Sequence, residues 1–83
     1  MSNSVDQQVI EFTAAYTGVS VGEISNSTTL DSLGIVTKPD LYEYLTELED
    51  SFELIFEPSD ADGIVTVGNA AAMIEKKLGS NAS

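Results

Sequence analysis

The chain of 83 residues contains no cysteine, no histidine, no arginine and no tryptophan. Without cysteine it forms no disulfide, no thiolate nucleophile and no zinc site with cysteine ligands. Without histidine it lacks the commonest general base and metal ligand of proteins. Catalytic triads built on either residue type are therefore excluded, and we predict that the chain is not an enzyme.

Positive charge is scarce: only Lys38, Lys76 and Lys77 stand against 14 acids, and the net charge is −11. Nucleic-acid binding needs cations that displace counterions from phosphates, and an anionic membrane surface repels an acidic chain. No apolar run approaches the roughly 20 residues that cross a bilayer, and residues 1–8 lack the layout of a signal peptide. We therefore expect a cytoplasmic protein that binds neither nucleic acid nor membrane, and partners that carry basic patches.

The acids concentrate between residues 40 and 62, where nine of the 14 lie. Paired carboxylates can act as general acid and base across a cleft, but so short a chain has little room for one. We therefore interpret these acids as a solvated face. Residues 60–63 resemble the start of a calcium loop, but their glycine comes fourth rather than sixth, and we predict no metal site.

Two amphipathic helices are predicted in the first half of the chain, because apolar residues recur there at helical spacing. The first spans residues 5–17, after a Ser4 cap that forms a capping-box pattern with Gln7, and it ends at Gly18. The second begins at Thr37 or Lys38. Thr37 is the N-cap if the capping-box pattern with residue 40 decides, whereas Lys38 is the N-cap if the proline after it occupies the first turn. The sequence does not choose between these two caps.

A third helix is predicted to follow Thr66 and to end at Gly79, with Lys76 and Lys77 in its last turn. Between the first two helices lies a loop of 18 residues, 19–36. A loop of that length in a small domain requires its isolated apolar side chains to anchor it to the core. We also expect a short turn near residues 21–24, a buried end of a loop at 54–56, and one helical turn within 59–63.

These elements predict an all-α fold: a bundle of three main helices plus one short helix, with a long first loop. We expect a single domain over residues 1–83, with its core from about residue 4 to 79 and a frayed tail at 80–83. The predicted core consists of Val5, Val9, Phe12, Tyr16, Ile24, Leu30, Leu41, Leu45, Leu48, Phe52, Ile55, Ile64, Val67, Ala71 and Ile74.

Three segments match a known pattern. Residues 41–52 belong to the predicted second helix, which ends in an acidic stretch and Phe52, residues 66–70 read T-V-G-N-A, and Glu23-Ile24 precedes Leu30 as a pair of loop anchors. Together they resemble the acyl carrier protein family, including the peptidyl carrier domains, over nearly the whole chain. The resemblance implies an acyl-carrier-like helical bundle.

The signature of that family is L-G-x-D-S-L, in which the serine opens the second helix and carries 4′-phosphopantetheine. Residues 33–37, which read L-G-I-V-T, overlay L-G-x-D-S and put Thr37 in the place of the serine. Residues 31–33 spell D-S-L and offer Ser32 as the alternative. Thr37 lies 15 residues before Phe52, near the separation in the family, whereas Ser32 lies 20 before it. We favour Thr37 as the attachment residue.

The sequence departs from the signature around this position. Val36 stands where the family has aspartate, and Lys38 and Pro39 stand where leucine and a polar residue follow the serine. The methyl group of Thr37 crowds attack on a phosphoryl group. Lys38 places a cation beside the attachment position, where it can contact the phosphate of the arm.

The resemblance implies a carrier that performs no chemistry of its own. A phosphopantetheinyl transferase would attach the arm, 4′-phosphopantetheine, covalently, and the arm would hold acyl or aminoacyl thioesters for fatty acid, polyketide or nonribosomal peptide synthesis. Loading and condensing enzymes with basic docking patches would bind Asp40, Glu43 and Glu47 on the second helix. We expect a monomer. The alternative is an interaction module that keeps the fold and the acidic face but has lost the arm.

Overall fold

The structure is a computed structural model that describes residues 4–81. Its elements are the helices α1 (Val5–Thr17), α2 (Lys38–Ser51) and α3 (Val67–Asn81) and the 3-10 helices Val21–Glu23, Asp31–Leu33 and Pro58–Ala61. Residues 4–81 contain no β-strand, and none of their helices combines the length and hydropathy that a membrane crossing requires. The predicted all-α fold with three main helices is confirmed. The last 3-10 helix, Pro58–Ala61, is called the short helix below.

Both ends of α1 lie where the sequence places them. The N–H of Gln7 donates to Ser4 Oγ at 3.1 Å, which satisfies a free donor of the first turn. Gly18 closes the helix in the left-handed conformation, with φ of 81°, and its N–H donates to the Ala14 carbonyl at 2.8 Å. The Gln7 side chain donates to Glu11 Oε2 at 3.1 Å, so it lies along the helix.

The long first loop is held to the start of α3 by its backbone. The Leu30 N–H donates to the Val65 carbonyl at 2.9 Å, and the Val67 N–H donates to the Thr28 carbonyl at 2.9 Å. Three apolar side chains of the loop are buried in the core: Ile24, Leu30 and Ile35. The predicted anchoring is therefore confirmed, and it fixes the loop that leads into α2.

The core lies where the three helices meet. Its fully buried apolar side chains are Val9, Tyr44, Leu45, Leu48, Val67, Ala70, Ala71 and Ile74. Among the predicted core residues, Val5, Phe12, Leu41, Phe52 and Ile64 are half-buried and pack against this cluster. Tyr44 and Ala70 also belong to the core, although they were not among the predicted core residues, and Ile35 joins it as one of the apolar anchors of the loop.

Two predicted core residues are not in the core. Ile55 is 79% exposed, because residues 54–56 lie outside any helix and their side chains alternate between the core and solvent. Leu54 and Phe56 turn inward and are half-buried. Tyr16 is 37% exposed, since it lies in the last turn of α1 and covers the ring of Tyr44 from outside.

The third helix does not end at Gly79. The glycines with positive φ among the described residues are Gly18, Gly34 and Gly63, so Gly79 lacks the left-handed conformation of a C-cap. The helix continues to Asn81, and Lys76 and Lys77 therefore lie before its last turn. Residues 80 and 81 are helical, whereas residues 82 and 83 of the expected tail lie outside the described part of the chain.

Candidate functional site

The first turn of α2 is closed by a reciprocal pair of hydrogen bonds. The Asp40 N–H donates to Thr37 Oγ1 at 3.3 Å, and the Thr37 N–H donates to Asp40 Oδ2 at 3.4 Å. Thr37 has extended backbone angles, with φ of −93° and ψ of 164°, and Pro39 lies within the first turn. Thr37 is therefore the N-cap, and the capping box rather than the position of the proline decides between the two caps.

Thr37 presents its hydroxyl at the protein surface. The residue is exposed, and it lines a groove of about 190 Å³ together with the apolar side chains of Ile35, Val36, Leu41, Ile64 and Val65. The N-terminus of a helix carries unpaired backbone N–H groups and the positive end of the helix dipole, which favour a phosphate or another anion there. A hydroxyl at the surface can act as a nucleophile. The adjacent helix N-terminus can bind a phosphate attached to that hydroxyl.

Ser32 lies elsewhere in the loop. It sits in the 3-10 helix Asp31–Leu33, and its Oγ donates to the Thr29 carbonyl at 2.7 Å. Gly34, with φ of 93°, then turns the chain before it reaches α2. Ser32 is exposed, but it neither caps a helix nor lines the groove beside Thr37.

The charged residues of the site are spread along α2. Lys38 is its first residue and is exposed, and Asp40 is half-buried because its carboxylate completes the capping box. Glu43 and Glu47 are exposed one turn apart. Burial raises the pKa of the Tyr16 hydroxyl, and the negative charges of Glu43 and Glu47 raise it further. The carboxylates of Glu43 and Glu47 therefore lie close to the last turn of α1, where Tyr16 is located.

A buried ionic cluster that was not predicted from the sequence lies at the other end of α2. Glu49 is fully buried, and Lys77 Nζ lies 3.2 Å from Glu49 Oε1 and 2.7 Å from Asp60 Oδ2. Burial raises the pKa of Glu49 to about 7. Although burial opposes ionisation of Asp60 as well, the hydrogen bond from Lys77 lowers the pKa of Asp60 below its ordinary value. The signal in the sequence was positional: Glu49 follows Leu45 by four residues, so it lies on the apolar side of α2.

No group of three or more acidic, histidine or cysteine side chains is arranged to hold a metal ion within residues 4–81.

The predicted site residues are divided between two places. The structure brings Thr37, Lys38 and Asp40 together at the start of α2, places Glu43 and Glu47 farther along its exposed side, and leaves Ser32 in the preceding turn.

A small acidic bundle with a surface hydroxyl at the start of its second helix is the class of domain that fold and site define. No protein-family model matches the chain. It is 37% identical over 71 residues to the acyl carrier protein of Exiguobacterium sp., and the alignment covers 84% of this chain and 89% of that protein. The chain belongs to the acyl carrier protein family.

Proposed function

We propose that this chain is a non-catalytic carrier whose 4′-phosphopantetheine arm is attached to Thr37. The observation that carries the proposal is the exposed hydroxyl of Thr37 at the N-cap of a helix of 14 residues. Membership of the acyl carrier protein family supports the carrier role. The pathway is one that builds fatty acids, polyketides or nonribosomal peptides.

The residues around Thr37 fit such an arm. The helix N-terminus favours the phosphodiester, exposed Lys38 supplies a neighbouring positive charge, and the apolar side of the groove can shelter the part of the arm nearest the protein. When attached, the arm supplies a thiol that carries the acyl group as a thioester. The chain itself holds the attachment oxygen at the surface, orients it through the capping box, and offers acids for docking.

The enzymes that load and use the carrier dock, in this proposal, on Asp40, Glu43 and Glu47. Glu43 and Glu47 are exposed on the side of α2 that follows Thr37, so a partner that binds them also reaches the arm. The net charge of −11 supports partners with basic patches, including the phosphopantetheinyl transferase. We propose that the carrier acts as a cytoplasmic monomer.

The test is the intact mass of the chain after incubation with coenzyme A, Mg²⁺ and a broad-specificity phosphopantetheinyl transferase. We expect a gain of one phosphopantetheinyl group, slow in the wild type because the Thr37 methyl crowds the attack, and faster in Thr37→Ser. The gain should vanish in Thr37→Ala and persist in Ser32→Ala. Val36→Asp combined with Thr37→Ser restores the dipeptide of the family signature and should react fastest. Peptide mapping that finds the arm on Ser32 would contradict the assignment.

A specific observation favours the second candidate, an interaction module without an arm. Val36 is 65% exposed and Lys38 is exposed, so the surface on either side of Thr37 is apolar and cationic. The family has an acid in the place of Val36. A chain that stays unmodified even as Thr37→Ser, and as Thr37→Ser with Val36→Asp, would establish this second candidate over the first.

A further inference from the structure

The connection between α2 and α3 is held down by one lysine. Lys77, on α3, pairs with Asp60 of the short helix, and its Nζ also donates to the Ile55 carbonyl. Asp60 Oδ2 in turn accepts from the Glu57 N–H at 2.9 Å. Lys77 therefore contacts residues 55–60 at both ends, and we call these residues the clamped segment.

The same lysine is also the counterion of the buried carboxylate of Glu49. Glu49 Oε1 lies 3.2 Å from Lys77 Nζ, but neither Glu49 oxygen takes part in a hydrogen bond of good geometry. A fully buried carboxylate without hydrogen bonds is costly, because water is removed from the charge and little replaces it. Lys77 is thus the counterion of both Glu49 and Asp60. Glu49, the more deeply buried of the two, lacks hydrogen bonds of good geometry.

The groups that act on Glu49 come from two neighbouring elements. Lys77 faces it from α3 and Asp60 from the short helix, with opposite charges. With Glu49 protonated, Lys77 and Asp60 balance each other. With Glu49 ionised, the cluster carries a net negative charge, and the extra charge lies on a side chain that is fully buried, whereas Lys77 and Asp60 are partly exposed. The closed arrangement of the clamped segment therefore favours the protonated acid.

We propose that Glu49, Lys77 and Asp60 form a proton-operated latch, which holds residues 55–60 against α2 and α3 while Glu49 is protonated and loosens them when Glu49 loses its proton. The latch is separate from Thr37 and operates in the unmodified chain. Opening would let water reach Glu49 and would widen the cleft of about 630 Å³ that Lys77, Asp60, Leu54 and Met73 help to line.

The direction of the pH response follows from the two states of Glu49. In the closed state burial raises its pKa to about 7, whereas in an open, hydrated state it returns to the ordinary value of 4.5. The closed state thus binds more protons between these two values, so the open population grows as the pH rises through them. From about pH 5.5 to about pH 8, the ratio of open to closed molecules should rise roughly 25-fold.

The experiment is amide hydrogen exchange by NMR on the unmodified chain of 83 residues at both pH values, with each rate corrected for intrinsic exchange. The Leu54 and Asp60 amides report on the latch, since they donate to the Glu49 and Glu57 carbonyls. The Leu30 amide, which donates to the Val65 carbonyl and joins the first loop to the start of α3, is the reference outside the latch. We expect the protection of Leu54 and Asp60 to fall roughly 25-fold more than that of Leu30.

Glu49→Gln removes the titrating group at nearly constant shape and should abolish this difference. Glu47→Gln, on the exposed side of the same helix, is the matched control and should keep the pH-dependent difference in protection between the latch amides and Leu30. The same pH response in Glu49→Gln, or an equal loss of protection at Leu30, would overturn the latch. If Glu49→Gln does not fold, the ¹³C titration of the Glu49 carboxyl in the wild type decides: a midpoint near 7 supports the latch, and one near 4.5 refutes it. Neither readout depends on the arm, so they can fail while the proposed carrier function holds.

Discussion

At the scale of single residues, the buried polar groups of the core form a directed chain of hydrogen bonds. Thr13 Oγ1 donates to the Val9 carbonyl at 2.7 Å and lies 2.6 Å from Tyr44 Oη. A hydroxyl has only one proton, and that of Thr13 is used toward Val9. Tyr44 is therefore the donor and Thr13 the acceptor. The bond explains how a fully buried tyrosine is tolerated between α1 and α2.

We expect Tyr44→Phe to lower the free energy of unfolding by about 1 kcal/mol, the usual net value of such a bond. Tyr42→Phe is the control, because the Tyr42 ring packs against Phe56 and the substitution keeps that contact. Chemical denaturation at pH 7 measures both. Equal stabilities of the two variants would show that the hydrogen bond between Tyr44 and Thr13 does not stabilise the fold.

The wild type should also lose stability at alkaline pH. Burial raises the pKa of Tyr44 to about 12 from its ordinary value of 10.0, so the folded state holds the proton more tightly than the unfolded state. The stabilisation of the folded state that this difference in pKa provides is complete below pH 10 and disappears as the pH rises toward 12. Tyr44→Phe should lack that part of the alkaline loss.

For two buried residues of α2, the position along the helix predicts burial, whereas the residue type does not. The apolar stripe of α2 was predicted from Leu41, Leu45, Leu48 and Phe52. Positions 44 and 49 lie three or four residues from members of the stripe, so they face the same side. A tyrosine and a glutamate are usually placed nearer to solvent. Only the three-dimensional partners, Thr13 for the tyrosine and Lys77 for the glutamate, make these positions tolerable, and partners distant in sequence leave no local signal.

At the scale of elements, the first loop rests directly on the start of α3. The Gly68 N–H donates to the Asn26 carbonyl at 2.8 Å, and a Cβ at position 68 would lie 2.8 Å from that oxygen and 3.0 Å from Asn26 Cβ. The loop thus approaches the helix so closely that only glycine fits. The sequence predicted a loop anchored by apolar residues, but this backbone contact required the fold.

Two glycine substitutions on α3 should therefore have opposite effects. Gly68→Ala forces the loop away from the helix, and we expect it to lower the free energy of unfolding by about 1–3 kcal/mol. Gly79→Ala meets no atom within 4 Å and replaces a poor helix former, so it should raise that free energy by about 0.5 kcal/mol. Urea denaturation of both variants tests this, and a change of the same sign in both would refute the close approach.

The site was only partly predictable at this scale. The overlay on the family signature predicts Thr37 as the attachment position, but the two capping rules place the N-cap of α2 at different residues, Thr37 and Lys38. The capping box settled the cap because it satisfies two backbone groups at once, while Pro39 fits the first turn under either choice. The attachment of the arm depends on a partner enzyme, so it remains a proposal.

If α2 is the docking element, reversing the charge of Glu47 should slow modification by the transferase. We expect Glu47→Lys, made together with Thr37→Ser, to lower kcat/KM about tenfold at low salt and less at high salt. Glu75→Lys, on the exposed side of α3, changes the net charge by the same amount and serves as the control. An equal loss in both variants would indicate attraction by overall charge rather than docking on α2.

At the scale of the whole molecule, charge is distributed very unevenly. Nine of the 14 acids lie within residues 40–62, and of the three lysines Lys77 is engaged by Glu49 and Asp60. Lys38 and Lys76 are exposed, one at the start of α2 and the other on α3. The acidic face therefore receives little compensation from the protein itself, and the folded state concentrates repulsion that the unfolded chain relieves.

This imbalance predicts that salt stabilises the fold. Like charges repel over roughly 10 Å at 0.1 M salt, so raising NaCl from about 0.02 M to about 0.2 M should screen the face. A gain of about 1 kcal/mol would raise Tm by roughly 5 °C in a domain of this size. Millimolar Mg²⁺ or Ca²⁺ should act in the same direction.

Glu43→Gln combined with Glu47→Gln removes two exposed charges, so this variant should melt higher than the wild type at low salt and respond less to added ions. Melting curves that do not move with either kind of ion, or an unchanged response in the double variant, would show that repulsion on α2 does not limit stability.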